Sequence, residues 1–366
     1  MLVHPVAVPG SGTRSWTVLG DDDAPVVPVD RFLGYLTDIG RSPNTVKAYA
    51  HDLKDYWSFI GFRCLDWREA RLEDVGEFVA WLQLPPAGRA GEVAVLPSVS
   101  ARVGASTVNR KLAAVSAFYA HQARNGAGVG DLLAAWRVGG RGGWKPFLHH
   151  VSRGKPYRGR AITLKAPKKL PRVLTVAETQ AVPDACTRLR DRFFFALMHE
   201  TGCRAGEVLG LRHEDIAAAE CEITVMPREN ANGARAKSGI RAVPVGPELI
   251  RLYAGYLHEE YGGLDSDYVF VNIWAEPKGQ AWSYQAAYDL VLRLRARTGL
   301  DFDLHWLRHG AATRWLRDGV SIEVVSKLLG HSSVTTTSST YGHLTVEDAR
   351  AALERAGWLT GREVTW

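Results

Sequence analysis

Several features that define whole classes of protein are scarce or absent in this sequence of 366 residues. No stretch reaches the roughly 18 consecutive apolar residues of a membrane-spanning helix, so we expect no membrane partner. There are only 4 cysteines, and no two of them have the CxxC spacing of a redox or zinc site. We therefore expect buried free thiols in a reducing cytoplasm rather than a disulfide framework. The first residues also lack the basic start of a secretory signal.

Cofactor motifs are missing as well. The sequence contains neither a GxxxxGK(S/T) phosphate loop nor a GxGxxG turn after a strand, so a nucleotide cofactor has no anchor. His305 and His309 have the spacing of a zinc-binding pair, but the glutamate of HExxH is absent and no third ligand is evident. No tight acidic cluster indicates a two-metal nuclease. We therefore expect no metal ion and no cofactor.

Positive charge is present but unevenly distributed. The chain carries a formal net charge of +6 and has a pI of about 9.1. Between Asp131 and Glu178 there is no acidic residue, whereas 11 lysines and arginines fall in this stretch. Interleaved glycines and prolines argue against regular structure there. The pattern indicates a connector that binds a polyanion such as DNA, and a solvated loop that binds nothing is the alternative.

The remaining composition is ordinary, and the length suits two domains. Hydrophobic residues make up 46% of the chain and charged residues 23%, which is typical of a soluble globular protein. We place a flexible lead-in at residues 1–24 and a first domain at 25–135. A basic interdomain linker follows at 136–172, and a second domain at 173–366.

The first domain is predicted to be helical. Apolar residues recur at helical spacing from Val29, and Ser42 followed by Pro43 is typical of a helix start. Further helices are predicted near residues 73–84 and after Ser106, which would cap the last of them. Three polar residues lie on the outer side of that last helix: Asn109, Arg110 and Lys111. These side chains either contact phosphate groups or simply face water.

The second domain opens with a capping box from Thr175 to Glu178. An apolar helix then leads to TGCRAGEVLGLR at residues 201–212, in which Arg204 stands near a helix start. A cation at that position opposes the helix dipole, at a cost of roughly 0.3–1 kcal/mol. Either a bound phosphate or a salt bridge with Glu207 would compensate for this cost.

A hairpin and further helices are predicted downstream. Residues 221–226 and 241–245 have the pattern of two strands, and Lys237 lies on the loop before the second one. A lone lysine on such a loop is usually just solvated. Helices are predicted at about 247–260 and 283–298.

The last quarter of the chain carries the densest set of reactive side chains. His305 and Arg308 are three residues apart, so they share one face of a helix and can reach the same small target. A Gly-His corner follows at His331, and Tyr341 lies in a Thr/Ser-rich stretch beyond it. Cationic donors, a second histidine and a phenol suit a phosphate that is attacked by a tyrosine oxygen.

Taken together, these motifs resemble those of the tyrosine recombinases, the phage integrase family. TGCRAGEVLGLR, AKSGIRAVPV, HWLRH, LGH and STYGHL occur in the family's order between about residues 170 and 357. SPNTVKAYAHDLKDYWSFIG and STVNRKLAAVSAFYAHQARNG resemble its core-binding domain. The resemblance implies a mainly α fold with a small β-sheet in the C-terminal domain. A helical, SAM-like core-binding domain would precede an α+β catalytic domain.

The resemblance also assigns roles to residues of this chain. The implied catalytic set is Arg204, Lys237, His305, Arg308, His331 and Tyr341, with Glu207 in support. Tyr341 would attack the phosphate, Lys237 would protonate the leaving 5′ oxygen, and His305 would assist proton transfer. The candidate DNA contacts are Asn109, Arg110, Lys111, Lys168, Lys169 and Arg172. Two positions depart from the family: Trp306 stands where Asp is frequent, and the spacing from His331 to Tyr341 is one residue longer than the commonest.

The implied function is site-specific recombination of double-stranded DNA through a 3′-phosphotyrosine intermediate. It would serve the integration, excision or transposition of a mobile element, and the protein would associate with the nucleoid when bound to DNA. A homotetramer on two synapsed DNA sites is expected, and accessory DNA-bending proteins or a partner recombinase are further candidate partners. Two alternatives stay open: a type IB topoisomerase, which does not pair sites, and a DNA-binding protein without catalytic activity.

Overall fold

A computed structural model describes residues 1–7, 14–84, 103–127, 134–137, 157–166, 172–331, 333 and 337. Contacts within the chain divide it into two units, Met1–Lys168 and Lys169–Trp366. In the described ranges, no helix is long and apolar enough to cross a membrane.

A β-hairpin opens the first unit, although the sequence predicts a flexible lead-in there. The strands β1 (Leu2–Ala7) and β2 (Arg14–Leu19) pair antiparallel. Val18 is fully buried, and Thr17 donates a hydrogen bond of 2.7 Å to Asp30. The prediction was wrong for these strands because their packing partners lie on helices farther along the chain, outside any local sequence window.

The first unit is built from four described helices. They are α1 (Val27–Asp38), α2 (Pro43–Phe62), α3 (Leu72–Gln83) and α4 (Ala105–Arg124). The predicted start of α2 is confirmed, since the side chain of Ser42 accepts a hydrogen bond from the backbone N–H of Thr45. The predicted cap of α4 is wrong: this helix begins after Gly104 without a side-chain cap, and Ser106 lies inside it.

A second pair of strands also belongs to the first unit. β3 (Ala134–Arg137) and β4 (Tyr157–Arg160) pair antiparallel. Beyond β4, the backbone N–H of Leu164 donates to Oδ1 of Asn109 at 2.9 Å, and Nδ2 of Asn109 donates to the Leu164 carbonyl at 2.8 Å. This part of the predicted linker is therefore bound to α4, despite its glycines.

The second unit combines helices with a small antiparallel sheet. Its described helices are α5 (Val176–Asp184), α6 (Leu189–Thr201), α7 (Ala205–Val208), α8 (Pro247–Tyr256), α9 (Tyr284–Thr298), α10 (Leu304–Arg317) and α11 (Ile322–Leu329). Its strands, in sheet order, are β5 (Ile216–Ala217), β6 (Glu222–Val225) and β7 (Arg241–Pro244). The predicted capping box of Thr175 and Glu178 is confirmed at the start of α5.

Helix α6 is the centre of this unit and positions the site described below. Phe193, Phe194 and Phe195 are all buried, because α6 packs against α8 and α10 and against the segment before α9. The helix ends at Gly202 in the left-handed conformation, and α11 ends in the same way at Gly330. Carbonyl groups at these two helix ends accept hydrogen bonds from Arg308.

The predicted fold class, mainly α with a small β-sheet, is confirmed, with the correction that strand pairs also occur in the first unit. The four cysteines are free. Cys186 and Cys203 are buried as predicted, but Cys64 is exposed and Cys221 is only partly buried.

Candidate active site

The turn between α6 and α7 carries the first of the predicted catalytic arginines. Gly202 reverses the chain so that Arg204 immediately precedes α7. Glu207 accepts hydrogen bonds of 2.9 Å from both the backbone N–H and Nη1 of Arg204. The Glu207 side chain is completely buried, whereas 27% of the Arg204 side chain is exposed. The salt bridge expected as one alternative is therefore present, and part of the Arg204 side chain still reaches solvent.

A second arginine binds the same carboxylate, and sequence reasoning missed it. Nη2 of Arg241 donates to Oε2 of Glu207 at 2.7 Å, and Oγ of Ser238 donates to Oε1 at 2.9 Å. Arg241 lies on β7, where side chains alternate between the two faces of the sheet, and it shares the buried face with Val243. An arginine at an inward-facing strand position was the sequence signal that could have identified it.

These contacts decide the charge of the carboxylate. Burial by itself raises the pKa of Glu207. The hydrogen bonds and charge of Arg241, together with the backbone N–H and charge of Arg204, outweigh burial and lower the pKa of Glu207 to about 2. Glu207 is therefore ionised at neutral pH and balances part of the charge of the two arginines.

Lys237 lies at an exposed position directly before Ser238. The stem of its loop is anchored through Asn232, whose Nδ2 donates to the Leu209 carbonyl at 3.0 Å and to the Trp282 carbonyl at 2.8 Å. The loop that carries Lys237 is thus bound to the segment that follows Arg204.

His305 and Arg308 lie on α10, but Arg308 is more deeply buried than we expect for a residue that binds a phosphate. It is only 1% exposed. Its Nη1 donates to the Gly202 carbonyl at 2.7 Å and its Nη2 to the Leu329 carbonyl at 2.6 Å. Arg308 thereby ties together the C-terminal ends of α6 and α11.

The histidines of this region are held in the neutral form. Partial burial and the charges of Arg308, Arg204 and Arg241 lower the pKa of His331 to about 4. Its Nδ1 shares a hydrogen bond of 2.8 Å with Oγ1 of Thr337. Loss of water around its ring, followed by the charge of Arg308, also lowers the pKa of His305. Neutral imidazoles can accept a proton at neutral pH.

Four described members of the predicted set, Arg204, His305, Arg308 and His331, therefore lie close together. Arg204 and Arg241 meet at Glu207, and the charges of Arg204, Arg241 and Arg308 all act on His331. Such a concentration of positive charge suits an anion. Tyr341 lies outside the described residues. Within the described ranges, no group of His, Cys, Asp and Glu has the arrangement of a metal site.

The predicted DNA contacts of the first unit have partners inside the protein. Lys111 is only 7% exposed, and its Nζ donates to Asp52 at 3.1 Å and to Asp55 at 2.6 Å. Its predicted position on the outer side of α4 is wrong, because this side of the helix packs against α2, and its contact with a phosphate stays a prediction. Arg110 pairs with Asp52 but keeps 49% of its side chain exposed. The side chain of Asn109 is bound to the backbone beyond β4.

The linker residues differ among themselves. Nη2 of Arg172 donates to Glu178 at 2.7 Å, and its guanidinium lies 5.3 Å from the centre of the Trp306 ring. Arg172 thus binds within the second unit, and its contact with a phosphate stays a prediction. Lys168 and Lys169 lie outside the described residues.

Comparison with known families agrees with both units. The model described as the phage integrase family matches residues 166–348. The model described as the phage integrase N-terminal SAM-like domain matches residues 29–126. These matches confirm the predicted pairing of a SAM-like domain with a catalytic domain.

Two relatives match over nearly the whole chain, and a third matches over about half of it. Transposase A from transposon Tn554 of Staphylococcus aureus is 38% identical over 328 residues, which cover 89% of this chain and 89% of the transposase. Tyrosine recombinase XerC of Mycobacterium bovis is 29% identical over 331 residues, covering 90% of this chain and 97% of XerC. Tyrosine recombinase XerA of Thermococcus onnurineus is 34% identical over 199 residues, covering 54% of this chain and 67% of XerA.

Solved structures share the fold. The Tn1549 transposon integrase in complex with circular intermediate DNA has a TM-score of 0.61 at 15% identity, covering 90% of this chain and 99% of the solved integrase chain. The XerH recombinase bound to its difH substrate has a TM-score of 0.54 at 20% identity, covering 84% of this chain and 79% of XerH. With both family models matched and a relative 38% identical along nearly all of its length, the chain belongs to the phage integrase family of tyrosine recombinases.

Proposed function

We propose that this protein is a site-specific DNA recombinase that cleaves and rejoins DNA strands through a 3′-phosphotyrosine formed on Tyr341. The convergence of Arg204, Arg308 and His331 around two helix ends is the observation that carries the proposal. The relative that is 38% identical is a transposase, which favours the movement of a mobile element as the biological process.

The two arginines stabilise the charge that develops during the reaction. Guanidinium groups donate parallel hydrogen bonds to non-bridging phosphate oxygens. Arg204, with 27% of its side chain exposed and its partner Glu207 ionised, meets the phosphate from the α7 side. Arg308 does so from α10. Each lost set of donors would cost about 3 kcal/mol of transition-state stabilisation.

Proton transfer falls to the histidines and the lysine. A free tyrosine has a pKa near 10, so only about 0.1% is phenolate at pH 7. His305, neutral at this pH, takes the proton as Tyr341 forms its bond to phosphorus and the bond from phosphorus to the 5′ oxygen breaks. Lys237 gives a proton to that oxygen, which leaves as a 5′-hydroxyl. Such acid–base assistance contributes about 10²–10⁴-fold.

The role of His331 is to bind the phosphate, and it takes no part in proton transfer. When the Thr337 hydroxyl donates to Nδ1 across their 2.8 Å contact, the Nε2 of the neutral ring carries the hydrogen. Nε2–H can then donate to a non-bridging phosphate oxygen. Every role is filled by a side chain, so the proposed reaction uses neither a metal ion nor a nucleotide.

Strand exchange completes the proposed reaction. The 5′-hydroxyl of a partner strand attacks the phosphotyrosine, releases Tyr341 and restores a phosphodiester, so the number of phosphodiester bonds is conserved. The proposed partners are double-stranded recombination sites held by four copies of the chain, with accessory DNA-bending proteins or a second recombinase. Structures of Tn1549 integrase and XerH with DNA support a DNA partner.

The test is a Tyr341→Phe variant. Wild-type protein trapped in its native host should yield a covalent protein–DNA adduct, and sequencing the joined DNA identifies the site. A nicked suicide duplex carrying that site should then give the adduct with the wild type. The variant should form no adduct while binding the duplex with unchanged affinity, because only the phenolic oxygen is removed.

Two outcomes would contradict the proposal. An adduct that survives in Tyr341→Phe would remove this residue from the role. With two marked duplexes, relaxed circles without recombinant joints would indicate a type IB topoisomerase instead.

A further inference from the structure

Arg241 occupies a position that none of the roles above requires. It lies on β7 and is 8% exposed, so its guanidinium is almost entirely removed from water. A buried charge is costly unless it is paired and hydrogen-bonded. The partners of Arg241 therefore indicate what it holds in place.

Its first partner is the carboxylate that also holds Arg204. Nη2 of Arg241 donates to Oε2 of Glu207 at 2.7 Å, and Nη1 donates to Oε1 at 3.3 Å. On the other side, the same carboxylate binds the backbone and guanidinium of Arg204. Because the carboxylate is planar and rigid, the position of Arg241 fixes the orientation of Glu207 and, through it, that of Arg204.

Its second partner is the end of α11. Nε of Arg241 donates to the Leu328 carbonyl at 2.7 Å, and the next carbonyl, that of Leu329, receives Nη2 of Arg308 at 2.6 Å. Two buried arginines thus hold consecutive carbonyl groups at the turn that leads into His331.

Its third partner is the hairpin that carries Lys237. Nη1 of Arg241 donates to Oγ of Ser238, the residue that directly follows Lys237, and this hydroxyl in turn donates to Glu207. Gly330 packs tightly against the side chains of Ser238 and Arg241. A Cβ atom at position 330 would lie 2.6 Å from Cβ of Ser238 and 2.9 Å from Nη1 of Arg241.

We propose that Arg241 is a positioning residue that sets the mutual placement of Arg204, Lys237 and His331. One guanidinium contacts the three chain segments from which these side chains project: the start of α7, the hairpin and the end of α11. The inference rests on the proposed strand-cleavage function for its consequence, and on the hydrogen-bond network alone for its geometry.

The testing variant is Arg241→Lys. An ammonium group donates from a single point, so it cannot hold Glu207 and the Leu328 carbonyl together as the guanidinium fork does. On a nicked suicide duplex of the trapped site, the adduct-forming rate at saturating DNA should fall about 100-fold, since a misplacement of about 1 Å has that effect. The dissociation constant for the duplex should stay unchanged.

The control is Arg190→Lys. Arg190 is also a buried arginine of the second unit and also holds one carboxylate, that of Asp191, and one backbone carbonyl, that of Val271. The variant Arg190→Lys should have a lower melting temperature. Below that temperature its adduct-forming rate should equal that of the wild type. If Arg241→Lys behaves like Arg190→Lys, Arg241 is only a structural residue and the inference is wrong.

A measurement without DNA separates this inference from the proposed function. Hydrogen exchange at the backbone N–H groups of Gly330 and His331, which bond to the Lys327 and Ser326 carbonyls, should speed up in Arg241→Lys but not in the control. If exchange at both N–H groups is the same in Arg241→Lys as in the wild type, the inference is wrong, whatever the adduct-forming rate of the variant. If the wild type forms no adduct, the proposed function fails and exchange alone decides the placement.

A milder variant covers the case in which Arg241→Lys does not fold. Ser238→Ala removes one hydroxyl between Arg241 and Glu207 and leaves both ionic groups in place. We expect the same changes with smaller amplitude: a slower adduct-forming rate at unchanged affinity and faster exchange at Gly330. A rate and an exchange pattern equal to those of the wild type would contradict the proposed network.

Discussion

Two buried carboxylates, one in each unit, have similar surroundings but opposite pKa shifts. The side chains of Asp52 and Glu207 both have 0% exposure. Each lies between a buried cation and a more exposed one: Lys111 and Arg110 for Asp52, Arg241 and Arg204 for Glu207. Burial raises the pKa of Asp52, and the two cations do not reverse this effect. The pKa of Glu207 is instead lowered to about 2.

The hydrogen bonds explain the difference. Asp52 accepts one from Arg110 and one from Lys111. Within the described residues Glu207 accepts five, including a backbone N–H and the Ser238 hydroxyl. Hydrogen bonds to the ionised form stabilise it directly, whereas burial destabilises it. A buried carboxylate with two hydrogen-bonded cations can therefore keep a raised pKa, whereas one with a larger set of donors has a lowered pKa.

The two clusters also differ in what they connect. The Asp52 cluster joins α2 to α4 and continues through Asp55 to Lys54, which also lies on α2. The Glu207 cluster extends through Arg241 to the end of α11 and through Ser238 to the hairpin. The first cluster joins two helices of one unit, and the second joins the segments that carry the predicted catalytic residues.

The largest effect that would test this comparison is expected for Glu207→Gln. Removing the charge leaves two arginines without their shared counter-ion, and breaking a buried pair in this way costs about 3–5 kcal/mol of unfolding free energy. Adduct formation on the suicide duplex should also be lost, because Arg204 loses its orientation. Urea unfolding and the adduct assay measure the two effects.

Asp52→Asn is the matched variant in the first unit. Lys111 keeps Asp55 as a partner, so the expected loss is smaller, about 1–3 kcal/mol of unfolding free energy. The adduct-forming rate of the folded protein should not change. If both variants lose adduct formation equally, the distinction between a structural and a catalytic cluster fails.

An intermediate effect is expected from pH, because histidines of the second unit lie beside arginines. Burial, followed by the charge of Arg314, lowers the pKa of His199 to about 4 from the ordinary 6.5. Between these two pH values the unfolded chain binds a proton that the folded chain does not. The stability that His199 contributes is therefore complete above pH 6.5 and is lost as the pH falls towards 4.

The variant His199→Gln tests this dependence. Its amide can still accept the hydrogen bond from Arg314 but does not titrate. Between pH 7 and pH 5 the wild type should lose about 1–2 kcal/mol more unfolding free energy than the variant. Denaturant unfolding at both pH values gives the comparison, and parallel losses would show that His199 is protonated normally in the folded state.

The smallest effect is expected for Lys168, Lys169 and Arg172, which lie near the boundary of the two units in the sequence. Each lysine that contacts a phosphate contributes about 0.9 to the slope of the logarithm of the binding constant against the logarithm of salt concentration. Lys168→Gln and Lys169→Gln should each flatten the slope by this amount. Arg172→Gln should leave it unchanged, because Arg172 binds Glu178 and Trp306. Equal changes for all three would mean that Arg172 leaves those partners to bind DNA.

Local sequence determined the parts of the fold that depend on neighbouring residues. Ser42 with Pro43 sets the start of α2, and Thr175 with Glu178 sets the start of α5, because the groups that satisfy each cap lie within one turn. The order of the sequence motifs was sufficient to predict the family. Where the partners are distant, prediction failed: β1 and β2 pair and pack on the helices, and Lys111 is bound by α2 instead of facing water.

The same division applies to the site. The identities of Arg204, His305, Arg308 and Tyr341 as candidates could be predicted, because their motifs have characteristic spacing. Only the tertiary structure identified Arg241, whose partners Glu207 and Leu328 lie 34 and 87 residues away, and only it buried Arg308 between two helix ends. The physical reason is that a hydrogen bond acts over about 3 Å, and folding alone brings residues so far apart in the chain within that distance.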